Sequence, residues 1–167
     1  MSFGYDRLKQ TGDKGSRKKT NNKWFETQDS ISYWDDFNRQ KIIYPNMTKF
    51  LPFVYDLDGF YVNQKCFIIT GEKIAYLTAF LNSKIFKCCF KNNFPELQGG
   101  TREISKIFFE KISVIKISSE INENFKSLFE QFHKNELSNN ELDFLINSLI
   151  LSLYNLREEE IEYINSQ

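Results

Sequence analysis

The sequence predicts an α/β (α+β) fold, with a mixed-sheet core over residues 24–117 and a helical hairpin tail over residues 118–167. Three observations carry this expectation. Short runs of β-branched and aromatic residues, separated by turn signals, occupy residues 41–69. Apolar residues first recur at sustained helical spacing after Gly71. The last third is helical in pattern and contains a capping box. The 167 residues suffice for one domain with a small appendage.

Residues 1–23 read as a basic flexible arm. Gly, Lys, Arg, Ser, Thr and Asn dominate residues 12–22, so nothing there is suited to burial. Within it, Arg17, Lys18 and Lys19, followed by Lys23-Trp24, form a basic cluster with an adjacent aromatic ring. Such a cluster fits either a phosphate backbone or a solvated tail. Residues 24–37 read as short irregular or helical structure anchored by Trp24, Phe25, Ile31, Tyr33, Trp34 and Phe37.

Residues 41–44 are expected to form a strand that stops at Pro45, which has no N–H to give a ladder. Residues 53–56 form a second strand, and Asp58-Gly59 turns it into a third at 60–62. Residues 65–69 form a further strand. One helix is expected over 72–91, from the spacing of Leu77, Leu81, Ile85 and Cys88. A loop with Pro95 and Gly99-Gly100 follows, then a short helix over 103–110 and a β-branched strand over 112–117.

In the tail, Ile121, Phe125, Leu128, Phe129 and Phe132 make one amphipathic stripe. The turn is expected over residues 135–140. The next helix opens with the capping box Ser138-Asn-Asn-Glu141, and Leu137 and Leu142 are placed as a hydrophobic staple. Leu142, Leu145, Ile146, Leu149, Ile150, Leu151 and Leu153 give that helix more apolar surface than one face needs. They imply packing on a partner, another copy, or the chain's own core. A short helix with Glu158, Glu159 and Glu160 in its first turn closes the chain.

The net charge is zero but unevenly spread. Residues 1–116 carry 19 Lys/Arg against 12 Asp/Glu, a net +7, and residues 117–167 carry 3 against 10, a net −7. That asymmetry suits a first part that meets a polyanion and a second that does not.

The catalytic inventory is thin. There is no Gly-rich cofactor loop, no Asn-Pro-Pro-aromatic segment and no Asp-x-Lys or Glu-x-Lys triplet. The single histidine, His133, lies on a predicted helix, and the three cysteines have no zinc-site spacing. Core thiols in a reducing compartment, no signal peptide and no apolar run long enough to span a bilayer lead to a cytoplasmic expectation. No catalytic or metal-binding residue is expected, and no cofactor within this chain.

A DNA reader needs other parts: cations for phosphates, and Arg, Lys, Asn or Gln for base edges. In or beside predicted loops the chain offers Lys41, Tyr44, Lys49, Asn63, Lys65, Thr101, Arg102 and Lys106, together with Arg17, Lys18 and Lys19 of the arm. Gly99-Gly-Thr-Arg102 stands out. Two glycines permit close approach to another surface, Thr101 is placed to cap a following helix, and the planar Arg102 fork suits guanine.

Several short segments follow one another in a distinctive order: Lys41-Ile-Ile-Tyr-Pro, Asp58-Gly-Phe-Tyr-Val-Asn, Cys66-Phe-Ile-Ile-Thr-Gly-Glu, Leu81-Asn-Ser-Lys, Gly99-Gly-Thr-Arg and Ile112-Ser-Val-Ile-Lys-Ile. In this order they resemble the TaqI-like C-terminal specificity domain. The likeness covers roughly residues 24–117 and weakens toward Leu153-Tyr-Asn-Leu156. It implies a DNA target-recognition domain of a type IIG restriction-modification enzyme or adenine-specific DNA methyltransferase. The domain is non-catalytic alone and positions the enzyme on its site. Double-stranded DNA and a methyltransferase domain or subunit are the implied partners, while the apolar excess of the tail helices adds a homo-dimer as a further candidate. S-adenosylmethionine and magnesium are implied for the parent enzyme. The chain would be a piece of that enzyme, a separate specificity polypeptide, or the remnant of a broken gene. The other class left open is a protein-interaction domain that docks through its acidic helical tail.

Overall fold

A computed structural model describes residues 9–26 and 32–166, with the side chains of Lys106 and Phe108 excepted. The chain divides into two compact units, Met1–Asp35 and Asp36–Gln167. In the first, the Gly12 N–H donates to the Arg17 carbonyl at 3.1 Å and the Arg17 N–H to the Lys9 carbonyl at 3.0 Å, which closes a turn. The anchor expected at Ile31 lies outside the described residues.

The second unit holds two small sheets. Strands β1 (Lys41–Pro45), β3 (Val54–Asp56) and β4 (Cys66–Thr70) form one, in the order β3-β1-β4. Strands β2 (Met47–Thr48) and β5 (Arg102–Glu103) form the other. The α+β class holds, and the sheets are antiparallel in every described pairing rather than mixed. The register sets Ile42 opposite Tyr55 and Ile69, so these side chains share the face turned to the helices.

The expected helix over 72–91 is two helices, α1 (Ile74–Asn82) and α2 (Lys84–Asn93). Ser83 between them is fully buried. Its hydroxyl donates to the Phe80 carbonyl at 2.7 Å and accepts from the Phe86 N–H at 3.3 Å, so one side chain ends α1 and caps α2. The short helix α3 (Lys106–Phe109) follows β5.

Two expected strands are absent. Residues 60–62 do not pair, because the Asp56 carboxylate captures the N–H groups of Asp58, Gly59 and Phe60 at 3.0, 3.2 and 3.0 Å. Residues 112–117 form no strand, and the Ile117 carbonyl accepts from the Lys73 ammonium instead.

Helices α4 (Ser119–His133), α5 (Asn139–Tyr154) and α6 (Glu158–Asn165) complete the chain. Phe125, Phe129, Ile146 and Ile150 lie in the same buried cluster as Ile42, Phe53, Phe80 and Phe86. Tyr55 lies against Phe129 at 4.9 Å between ring centroids, and Tyr154 stacks on Phe80 at 5.9 Å. The apolar excess of α5 is therefore largely used within the chain. Phe144, 71% exposed, and Leu149 remain outward.

Candidate nucleic-acid interface

The phenylalanine-rich composition resolves mainly into core. Phe86 is fully buried and packs against Phe53, Phe80 and Phe94 at centroid distances of 5.6, 5.8 and 6.2 Å. A cleft of about 780 Å³ lies over this core, lined by Phe67, Phe80, Leu81 and Phe109. Its charged lining residues are Glu103 and Glu110, which disfavour phosphate.

A second cleft, of about 380 Å³, has the opposite character. Lys87 and Lys91 of α2 form one side and Lys49, Phe50 and Leu51 another, with Glu96, Gly100 and Arg102 completing it over Phe90. Lys87 and Lys91 are four residues apart and share a helix face. Leading the helix, the Lys84 ammonium donates to Asn165 Oδ1 at 2.9 Å.

The glycine pair forms the tip of a small hairpin. Glu96 bridges Arg102, the Leu97 N–H donates to the Thr101 carbonyl at 2.7 Å, and the Thr101 hydroxyl donates to the Gln98 carbonyl at 3.1 Å. Gly99 and Gly100 both have φ of 76°. A Cβ at either would meet nothing within 4 Å, so the glycines are required by backbone conformation and not by crowding. This corrects the expected capping role of Thr101: its hydroxyl closes the hairpin, and a strand follows it, not a helix.

Arg102 is positioned by that hairpin. Its guanidinium donates to the Phe94 carbonyl and to Glu96 Oε2 at 3.0 Å, and lies 5.9 Å from the Phe90 ring centroid. Its fork is thus engaged in holding the cleft together.

Asn46 ties a second group of candidates to this edge. Its N–H donates to the Lys65 carbonyl and its carbonyl accepts from the Ile104 N–H, both at 2.9 Å. The turn with exposed Asn63 and Lys65 therefore adjoins β2–β5. Asn63 Oδ1 accepts from the Lys65 N–H at 2.9 Å, which fixes the turn.

Other expected contacts fall elsewhere. Lys41 is corrected outright: the register sets it beside Asp56 on the sheet face opposite Ile42 and Tyr55, where it is fully buried against Asp56 and the Phe37 carbonyl. Tyr44 is corrected likewise. It packs between Phe53, Phe67 and Phe109, and burial pushes its phenol above the usual range. Arg17, Lys18 and Lys19 belong to the first unit, where the Arg17 guanidinium donates to the Trp24 carbonyl at 3.2 Å. Lys106 begins α3, and its side chain lies outside the described residues.

Lys87, Lys91 and Phe50 were not singled out from the sequence. The repeat of Lys84, Lys87 and Lys91 along one face was the available signal.

Among the described residues no three His, Cys, Asp or Glu side chains converge as a metal site. No helix among them is long and apolar enough to cross a membrane. The model of the TaqI-like C-terminal specificity domain matches residues 5–114. The chain belongs to that family. No curated protein matches it significantly. The match ends before α4, yet the specificity domain's core is completed by α4 and α5.

Proposed function

We propose that this chain is the DNA sequence-reading module of a bacterial restriction-modification enzyme, non-catalytic alone, which places an adenine-type methyltransferase and any nuclease joined to it on the target site. The observation that carries this reading is the basic cleft of Lys49, Lys87, Lys91 and Arg102 beside the glycine hairpin. It lies in a chain of the specificity-domain family. Lys49, Lys87 and Lys91 supply the charge that phosphates require, and the hairpin tip presents open backbone next to them. Asn63 and Lys65, on the adjoining turn, extend the surface with groups suited to base edges.

S-adenosylmethionine and magnesium would be held by the enzyme part that this module directs. A methyltransferase domain or subunit is the partner the reading requires. Phe144 and Leu149 are the apolar residues that α5 leaves for it or for a second copy.

Duplex binding across a range of salt concentrations tests the assignment. Replacing Lys49, Lys87 and Lys91 by Ala should weaken binding to all sequences alike. The slope of log K against log salt should flatten by about 0.9 for each phosphate contact removed. An unchanged slope in the triple variant would remove the cleft from the DNA surface.

A further inference from the structure

Phe50 is 77% exposed, the most exposed large apolar side chain among the described residues. Its neighbours behave differently: Leu51 packs against the core and Phe53 is buried within it. The Phe50 ring therefore points away from the interior that the same short segment helps to build.

Its backbone is held on both sides. The Phe50 N–H donates to Thr48 Oγ1 at 3.0 Å, and the Thr48 hydroxyl donates to the Phe50 carbonyl at 2.8 Å. Thr48 is itself paired with Arg102. On the other side, the Asn82 side chain accepts from the Phe53 N–H at 3.3 Å and donates to the Phe53 carbonyl at 2.7 Å. An exposed ring on an anchored tip loses little freedom on binding.

The setting separates Phe50 from three other outward rings. Tyr61 leans on Phe37 at 5.0 Å and Phe67 on Tyr44 at 5.6 Å, so both have partners in the fold. Phe60 borders a depression that also holds the exposed Asp58 and Asp143, which repel phosphates. Phe50 borders the cleft with Lys49, Lys87 and Lys91.

We infer that Phe50 is a wedge that inserts its ring between adjacent base pairs of the duplex lying over this cleft, an inference that rests on the DNA-reading assignment above. Lysines on either side hold the phosphates while the ring replaces one base-stacking contact with its own. Insertion is easiest at pyrimidine–purine steps, so the wedge adds sequence preference without touching a base edge. Phe50 is then a specificity-determining residue acting through DNA shape.

Relaxation of closed circular plasmid by topoisomerase, in the presence of the full chain, reads this directly and needs no knowledge of the target sequence. Wild type and Phe50→Trp should leave a linking deficit that grows with bound protein. Phe50→Ala, compared at matched occupancy, should leave none, and should bind about five- to a hundred-fold more weakly. Its melting temperature should match wild type, since the ring is outside the core. A linking deficit in Phe50→Ala equal to that of wild type would overturn the wedge, as would an unchanged linking number at saturating wild type. Absence of any plasmid retardation by wild type would overturn the DNA-reading assignment itself, and the wedge with it.

Discussion

The Lys41 ammonium and the Asp56 carboxylate meet with both side chains fully buried. Lys41 also donates to the Phe37 carbonyl at 2.7 Å, and Asp56 accepts the three N–H groups of the following turn. Neither charge has water to fall back on if its partner is removed. Lys41→Met should therefore destabilise the chain by about 3–5 kcal/mol. Asp56→Ala should cost more, because it also orphans the turn amides. Denaturant unfolding of both variants checks this order, and equal stability with wild type would show that the pair is not a buried one. DNA affinity of the folded Lys41→Met chain should stay close to wild type. The sequence shows a lysine at the start of a strand. Which way it points depends on pairing with residues fifteen and twenty-nine positions away, which composition does not reveal.

The capping box that opens α5 was legible in full, since a Ser and a Glu three residues apart form it locally. The Glu141 carboxyl accepts from the Ser138 hydroxyl at 2.6 Å and from its N–H at 2.8 Å, and these bonds hold its pKa below the usual carboxylate value. The folded-state pKa is lowered, so the box contributes above the unfolded value near about 4.3 and is lost as pH falls through the folded one. The melting temperature of Glu141→Gln should therefore lie below wild type near neutral pH and converge with it in acid. A gap that widens on acidification would contradict the assigned direction. Strands β1, β3 and β4 were similarly legible from their composition. Residues 112–117 have the same β-branched character yet pair with no strand, and which segments join a sheet is decided by tertiary packing that local composition does not carry.

Across the whole molecule, sequence order and spatial neighbourhood part company at the cleft. The glycine hairpin and Lys49 could be read as candidates because turn chemistry is local. Lys87, Lys91 and Phe50 become neighbours only when α2 packs beside the β2–β5 ribbon, with Phe90 and Phe94 of that helix region buried in the core. The acidic tail reads as separate by charge, yet its apolar residues finish the same core as the basic part. The −7 part thus helps complete the core, while the +7 part holds the cations proposed to meet DNA. Hydrogen–deuterium exchange on the full chain, with and without a mixed-sequence duplex at low salt, tests that division. Exchange should slow on binding in residues 47–53, 84–93 and 96–105, around the basic cleft. Slowing confined to residues 139–166, with the cleft unchanged, would place the binding surface on the tail and contradict the DNA-reading assignment.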